Sequence, residues 1–387
     1  MLVGLVGAPS AGKSTFFKAA TLVDVAIANY PFTTIQPHRG IGNVRVDCVD
    51  KEFGKQCNPR TGYCKNGIRY VPVEILDVAG LVPGASEGKG MGNQFLNDLN
   101  QADALIHVVD ASGQNNELGE SVGNHDPCKT VRMLEEEIDL WFLSVLEKAM
   151  AKFERQKTDL GKAIATQMKA FRVDEDMAKD VLRKLGYDEK PVTEWDRKKL
   201  AREFRLLTKP MLIAANKSDS PQARANIERM RTEFPHLTII ACSADYELAL
   251  REAAKRELID YLPGSSSFTV KKEMPAPLKV ALDVIKKFLA ENKSTGVQEV
   301  LDQAVFKFLD YIAVFPGGVN NLVDSQGRVL PDCFLLKRGS TAKDFAMKIH
   351  TDIGKNMLHG IDVKTRLKIG KDHVLKHRDV VEIVSTA

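Results

Sequence analysis

Residues 7–15 read Gly7-Ala8-Pro9-Ser10-Ala11-Gly12-Lys13-Ser14-Thr15. They lie between an apolar run, residues 1–6, and a helix-forming segment that begins at Phe16. The G-x-x-x-x-G-K-S spacing in a strand, loop and helix setting is typical of a phosphate-binding loop. In such a loop the backbone amides cradle phosphates, Lys13 reaches the β- and γ-phosphates and Ser14 ligates magnesium. A glycine-rich turn before a helix can also be purely structural, so the rest of the chain has to decide.

The composition indicates a globular chain with more than one domain. Its 387 residues are 44% hydrophobic, which is enough to bury sizeable cores. The first residues run directly into the strand that the loop needs, and no apolar run reaches membrane-spanning length. We therefore expect a soluble, cytoplasmic protein without a membrane partner. The net charge of +4 permits a nucleic-acid partner without requiring one.

The segment after the first helix is interrupted by proline and cannot be a helix interior. It reads Asn29-Tyr30-Pro31-Phe32-Thr33-Thr34-Ile35-Gln36-Pro37. A loop here can offer a threonine hydroxyl to magnesium and a backbone amide to the γ-phosphate, and become ordered when the triphosphate binds. Thr34 is the predicted ligand, and an ordinary turn with two threonines is the alternative.

A second nucleotide-sensing segment is predicted where the strand at residues 69–76 ends. The residues that follow are Asp77-Val78-Ala79-Gly80. Asp77 would hold magnesium through water, and the Gly80 amide would bind the γ-phosphate. Residues 82–92 are rich in glycine, so we expect them to be mobile and to form a second switch.

A short apolar strand ends in Asn216-Lys217-Ser218-Asp219, and the N-K-x-D spacing is typical of guanine recognition. Asp219 would accept from the ring N–H and the exocyclic amine, which adenine lacks in this arrangement. Asn216 would tie the base pocket to the phosphate loop, and Lys217 would pack its stem over the ring. The next strand leads to Ser243 and Ala244, and the Ala244 amide is predicted to meet guanine O6.

These motifs predict an α/β fold of the P-loop type, with a doubly wound, mainly parallel sheet, because ligands bind at the carboxyl ends of strands in such sheets. His107 lies inside another apolar strand, and we expect a buried, hydrogen-bonded core histidine rather than a catalytic one. The predicted domains are the nucleotide-binding domain at 1–129 and 208–310, a helical or coiled-coil arm at 130–207 and a β-grasp domain at 311–387.

The phosphate loop, the 29–35 segment and residues 77–85 running on to 92–96 resemble the Obg and YchF superfamily of translation-factor-related (TRAFAC) P-loop GTPases, and are most similar to its archaeal YchF-like members. The resemblance covers nearly the whole chain. It implies a C-terminal TGS domain, hydrolysis of GTP to GDP with Mg²⁺, and a ribosome or structured RNA as partner. No DNA partner is expected. The basic stretch of the arm is either an RNA-binding surface or a solvated helix face.

Three departures from the family pattern bear on the activity. Typical YchF proteins carry Glu where this chain has Asp219 and favour ATP, so we expect GTP here. Some Obg relatives have an Asn at the position of Ser10 that helps to recruit potassium, which leaves potassium dependence open. Leu81 replaces the glutamine that orients water in Ras-like GTPases, so intrinsic hydrolysis should be slow. A YchF-like ATPase, or a ribosome-binding scaffold with nucleotide as a structural ligand, are the alternatives.

Three of the six cysteines lie in one loop before the Asp77 strand: Cys48, Cys57 and Cys64. These thiols could bind zinc with a fourth ligand from elsewhere, although the spacing is not the C-x-x-C pair of typical structural sites. Free thiols, or one disulfide in a hyperthermophilic host, are the alternatives.

Overall fold

The computed structural model describes residues 1–22, 39–78, 84, 98–156 and 159–386, with the side chains of 154–156 excepted. The predicted switch residues Thr34, Gly80 and Leu81 lie outside these ranges. The chain divides into two compact units, Met1–Ala19 with Ile75–Val300 and Ala20–Glu74 with Leu301–Ala387. Within the described ranges, no helix combines the length and the apolar character needed to cross a bilayer.

The described residues form fourteen β-strands and eleven α-helices. The strands are β1 (Leu2–Val6), β2 (Arg39–Asp47), β3 (Tyr63–Lys65), β4 (Ile68–Asp77), β5 (Ala104–Asp110), β6 (Met211–Asn216), β7 (Ile239–Ala241), β8 (Ile259–Asp260), β9 (Thr269–Val270), β10 (Tyr311–Pro316), β11 (Phe334–Lys337), β12 (Met357–Asp362), β13 (Leu367–Ile369) and β14 (Val380–Ser385). The α-helices are α1 (Lys13–Thr21), α2 (Pro127–Gln156), α3 (Leu160–Gln167), α4 (Glu175–Leu185), α5 (Arg197–Thr208), α6 (Ala223–Glu233), α7 (Ala244–Lys255), α8 (Ala276–Asn292), α9 (Val297–Gln303), α10 (Ala342–Ile349) and α11 (Thr351–Lys355).

The first unit is built on a parallel sheet. β1 pairs with β5, β5 with β6 and β6 with β7, all in parallel. The end of β4 lies on the other side of β1, where the Val78 N–H donates to the Leu5 carbonyl at 3.1 Å. Every residue of β1, β5 and β6 is buried, as expected for a sheet covered on both faces. The predicted mainly parallel, doubly wound sheet is confirmed.

The insertion between β5 and β6 is helical, as predicted, and consists of α2 to α5. Its apolar side chains share one hydrophobic cluster with Leu2, Val6 and Leu76 of the sheet. A buried guanidinium joins the last helix to the first, because Arg205 bonds Glu135 at 3.0 Å and Asp139 at 2.6 Å. The insertion is therefore packed against the same sheet that carries the phosphate loop.

The second unit contains the predicted β-grasp fold. Its sheet has the order β11-β10-β14-β12-β13, with β10 and β14 parallel and the other pairs antiparallel. Thr341 caps α10 in a capping box with Asp344. The segment from Thr341 to Ile353 forms two helices, α10 and α11, because His350 adopts an extended conformation between them.

Residues 39–74 group with this β-grasp fold in the second unit. The guanidinium of Arg69 in β4 is buried and donates to the carbonyls of Leu330 at 3.0 Å and Pro331 at 2.9 Å. Asn58 donates its backbone N–H to Val329 O at 2.9 Å in the same region. The compact units divide the chain by packing, and the three domain ranges predicted above stay a prediction.

Candidate functional site: a phosphate loop beside a base-recognition edge

The phosphate loop connects β1 to α1, and its two glycines are required by their surroundings. Gly7 has φ +150°, and a Cβ there would lie 2.3 Å from the Val108 carbonyl oxygen. Gly12 has φ +92°, and a Cβ there would lie 2.3 Å from the Asn216 amide nitrogen. Any larger residue would therefore displace the loop from the neighbouring strand ends. The Phe16 N–H donates to Gly12 O at 2.8 Å and starts the helix.

The charge inside the loop belongs to Lys13. Its ammonium donates to the Ala8 carbonyl at 3.2 Å. Burial lowers the pKa of Lys13, and the negative charge of Asp77 opposes part of that shift. A partly desolvated cation in a loop of this shape is suited to an anionic ligand. The negative charge of that ligand would raise the pKa of Lys13 again and favour its protonated form.

The predicted magnesium ligands within the described residues are Ser14 and Asp77. Ser14 is exposed in the first turn of α1, next to Lys13. Asp77 ends β4, and its charge acts on Lys13, so the carboxylate and the loop lysine face the same region. A hydroxyl and a carboxylate are hard oxygen donors of the kind that Mg²⁺ prefers.

Asn216 joins the end of β6 to the phosphate loop. Its side-chain amide donates to the Ala11 carbonyl at 3.0 Å, and its carbonyl oxygen accepts from the Ala244 N–H at 3.0 Å. Asn216 is buried, so both bonds are shielded from water. The Ala244 amide predicted to meet guanine O6 is thus bonded to Asn216 in this structure, and contact with a base would require that bond to be exchanged.

Asp219 is an exposed carboxylate whose orientation is set by a buried hydroxyl. Ser243 donates from Oγ to Asp219 Oδ1 at 2.6 Å. The same Ser243 is the N-cap of α7, and its Oγ accepts from the Tyr246 N–H. The predicted base-reading residues are therefore brought together, and one oxygen of Asp219 is fixed by the protein.

A residue to which the sequence reasoning gave no role, Asp110, anchors Lys217. The two form an ion pair at 2.7 Å, and Asp110 also accepts from the Ser112 N–H at 2.9 Å and from the Asn115 amide at 2.7 Å. Burial by itself raises the pKa of Asp110, but the bond from Lys217 and those from its neighbours hold that pKa below its ordinary value. Asp110 lies opposite Asn216 in the parallel register of β5 and β6, which places this acid at the site.

His107 is buried beside the loop, as predicted, but the described part of the chain provides no hydrogen bond for it. Neither ring nitrogen has a hydrogen-bond partner among the residues that the structure describes. Burial, with the charge of Lys13 adding to it, lowers the pKa of His107 to about 3. The imidazole is therefore neutral near neutral pH.

Three family descriptions cover most of the chain. Residues 2–141 match the 50S ribosome-binding GTPase family, residues 214–319 match the G4 motif-containing domain of YGR210-like Obg-like GTPases, and residues 323–385 match the TGS domain. Among solved structures, a GTP-binding protein from Pyrococcus horikoshii has a TM-score of 0.76 and 37% identity over 100% of both chains. The Schizosaccharomyces pombe YchF GTPase has a TM-score of 0.62 at 20% identity, over 99% of this chain and 97% of that chain, and shares the fold.

Curated relatives extend over similar lengths. An uncharacterized GTP-binding protein of Methanocaldococcus jannaschii is 46% identical over 100% of this chain and 99% of its own. An uncharacterized GTP-binding protein of Schizosaccharomyces pombe is 38% identical over 88% of each chain. The ribosome-binding ATPase YchF of Bacillus subtilis is 31% identical over 67% of this chain and 70% of its own. With such similarity over its whole length, the chain belongs to the Obg-like, YchF-related family of P-loop GTP-binding proteins with a C-terminal TGS domain.

Proposed function

We propose that the chain binds GTP with Mg²⁺ and hydrolyses it to GDP and phosphate, as a slow molecular switch. One observation carries the choice of nucleotide: Asp219 is held by Ser243 while Asn216 bonds the phosphate loop at Ala11. A guanine base offers a ring N–H and an exocyclic amine side by side, and a carboxylate accepts from both. An adenine in the same position would give that carboxylate no donor from the base, which costs affinity.

The residues of the loop would bind the phosphates. Lys13 would exchange its bond to Ala8 for the β- and γ-phosphates, and loop residues 7–15 would surround them. Ser14 and Asp77 would hold Mg²⁺, Asp77 through water, and the ion would neutralise charge that develops on the phosphate oxygens. Thr34 and Gly80, which the sequence assigns to magnesium and to the γ-phosphate, complete the proposed site.

Hydrolysis would proceed by in-line attack of water on the γ-phosphorus. The new P–O bond forms as the bond to the β–γ bridging oxygen breaks, GDP leaves with that electron pair, and the proton of the water passes to phosphate or solvent. Lys13 would stabilise the charge of the transition state. Because Leu81 cannot orient the water, we expect slow turnover, about 10⁻⁴ s⁻¹ or less without a partner.

The partner that we propose is the ribosome, and the cytoplasm is then the place of action. The proposal is supported by the similarity to relatives named ribosome-binding ATPase and by the match of residues 2–141 to the 50S ribosome-binding GTPase family. The test is single-turnover GTP hydrolysis with and without ribosomes. Stimulation by ribosomes is expected. Hydrolysis that stays at background in both conditions would favour a scaffold that uses nucleotide as a structural ligand.

An ATPase is the second candidate, because the Bacillus subtilis relative is called an ATPase. Equilibrium binding of fluorescent GDP with Mg²⁺, competed by GTP and by ATP, separates the two. We expect GTP to compete at concentrations lower than ATP by roughly a hundredfold or more. Asp219→Glu should erode that preference, while Asp245→Glu, at an exposed acid in the next helix, should leave it unchanged. Equal competition by ATP and GTP in the wild type would replace the GTP assignment with ATP.

A further inference from the structure

A cluster of thiols and one carboxylate lies in the second unit, in a loop that the nucleotide site does not use. Its members, which we call the thiol cluster, are Cys48, Asp50, Cys57 and Cys64. The four ligand atoms lie within 4.8 Å of one another. Cys48 Sγ is 3.5 Å from Cys57 Sγ, and Cys64 Sγ is 3.7 Å from Asp50 Oδ2. All except Cys64 are buried.

These separations are those of ligands around one small tetrahedral ion. With Zn–S bonds of about 2.3 Å and tetrahedral angles, two sulfurs lie roughly 3.8 Å apart, and a sulfur and a carboxylate oxygen roughly 3.6 Å apart. A disulfide between Cys48 and Cys57 would need about 2.05 Å, well short of the 3.5 Å gap. Soft thiolate ligands favour zinc over Mg²⁺ or Ca²⁺, which prefer oxygen ligands.

The backbone around the cluster orients Asp50. The acid lies in the short 3₁₀ helix Val49–Phe53, which Cys48 precedes as N-cap residue. Asp50 Oδ1 accepts from the Lys51 N–H at 2.8 Å, and Oδ2 accepts from the Cys57 N–H at 3.1 Å. Hydrogen bonds to a ligand carboxylate are the outer support that metal sites use to fix their ligands.

A second observation points to thiolates in this place. The buried guanidinium of Arg69 lies 3.6 Å from Cys57 Sγ, and it also donates to the neutral carbonyls of Leu330 and Pro331. A buried cation needs a nearby negative charge. Thiolates bound to a divalent ion would provide that charge, since three thiolates and one carboxylate exceed the charge of Zn²⁺ by two.

We propose that the second unit holds a structural zinc ion bound by Cys48, Cys57, Cys64 and Asp50. The ion would close the loop between Cys48 and β3. That loop donates the Asn58 N–H to Val329 O at 2.9 Å and the Arg60 N–H to Pro331 O at 2.8 Å. Zinc would thereby hold the loop in the conformation that pairs with residues 329–331 of the same unit, because the free energy of binding adds to that of folding.

Cys333 is the rival for the fourth position. The groups that act electrostatically on the Cys333 thiol are Arg69, Cys48, Cys57 and Asp332. Cys333 therefore lies near the thiol cluster, but it is not among the atoms that share the 4.8 Å sphere. The variants Asp50→Asn and Cys333→Ser distinguish the two as ligands.

The test is the zinc content of the full chain, purified without chelator and measured by elemental mass spectrometry. We expect one zinc per wild-type chain, and loss of at least tenfold of that content in Cys57→Ser. Cys128→Ser, at a buried thiol of the other unit, should retain it. Wild-type chain without zinc after dialysis against zinc, or zinc retained in a variant lacking all three cluster cysteines, would overturn the proposal.

Two further measurements use only the wild-type chain and do not depend on whether a variant folds. Native mass spectrometry of the wild type should show the added mass of one zinc, whereas a mass lower by two hydrogens would show a disulfide and overturn the proposal. Cobalt exchanged into the wild type should give thiolate-to-metal charge transfer and the strong visible bands of a tetrahedral site. Octahedral, weakly absorbing cobalt would contradict it. Loss of zinc in Cys333→Ser with full retention in Asp50→Asn would overturn the assignment of Asp50.

Discussion

The Ser243 hydroxyl donates a hydrogen bond of 2.6 Å to the Asp219 carboxylate, across the gap between the ends of β6 and β7. Because Ser243 is buried and also caps α7, its position is fixed by the fold and not by a ligand. One oxygen of Asp219 thereby accepts from the protein, and its second lone pair and the other oxygen remain for a base. The residue is held at the same edge of the sheet as Asn216, which bonds the phosphate loop.

Asp219→Asn should change the preferred base from guanine to xanthine. The amide oxygen of the new side chain can accept from Ser243, which turns its NH₂ group towards the base. Xanthine carries an oxygen where guanine carries the exocyclic amine. The amide NH₂ of the variant can donate to that oxygen, whereas the carboxylate of the wild type accepts from the amine of guanine. Competition binding should show GDP affinity lower by roughly a hundredfold and a gain for xanthosine diphosphate. Asp245→Asn serves as control. Unchanged GDP affinity in Asp219→Asn would remove this residue from base recognition.

Asp110→Asn should weaken nucleotide binding indirectly, through its effect on Lys217. The substitution removes the charge that holds Lys217 at 2.7 Å, so the lysine stem is no longer positioned. Loss of a hydrogen bond to a charged group, about 1.5–3 kcal/mol, predicts GDP affinity lower by roughly ten- to a hundredfold in calorimetry. Asp126→Asn, whose acid pairs with Arg229 instead, is the matched control. Equal affinities in the two variants would show that Lys217 needs no anchor.

Lys13 should make nucleotide binding sensitive to alkaline pH. Its pKa in the free protein is lowered by burial, and bound phosphates would raise it again, so the complex binds more protons than the free protein in that window. GDP affinity should therefore fall as pH rises through the lowered pKa, below the ordinary 10.5. Lys13→Arg, always charged, should bind more weakly but with a flatter profile. Deprotonation of the guanine ring affects the wild type and Lys13→Arg alike, so it does not cause a difference between their profiles. Lys18→Arg is the control. Parallel profiles for wild type and Lys13→Arg would refute the linkage.

His107→Leu should make the protein more resistant to acid. The pKa of His107 is about 3 when folded and about 6.5 when unfolded, so the unfolded state binds the proton first. The contribution of His107 to stability is fully present above pH 6.5 and is lost as pH falls towards 3, by about 1.4 kcal/mol per pH unit. Urea unfolding should show a shallower loss in the variant over that range. His236→Gln, at an exposed position, should follow the wild type. A variant as acid-sensitive as the wild type would contradict the shift.

The phosphate loop was predictable because its geometry is local. A glycine at φ +92° and a helix that starts one residue later are consequences of short-range sterics. The parallel sheet was predictable in kind for a similar reason, since strands buried on both faces read as continuous apolar runs. The break between α10 and α11 at His350 was not predictable, because the apolar periodicity continues through this residue while its backbone is extended and not helical.

The sequence by itself determined the phosphate loop, the N-K-x-D spacing that ends in Asp219, and the fold classes of the two ends of the chain, because each depends on residues within about one element of each other. Only the tertiary structure decided that Asp110 anchors Lys217, that Asp50 joins three cysteines, and that Arg69 bonds Leu330. Most of these partners lie far apart in the chain, and all of them meet only when the backbone has packed. Burial then decides which charges must find one another, and that depends on the whole fold.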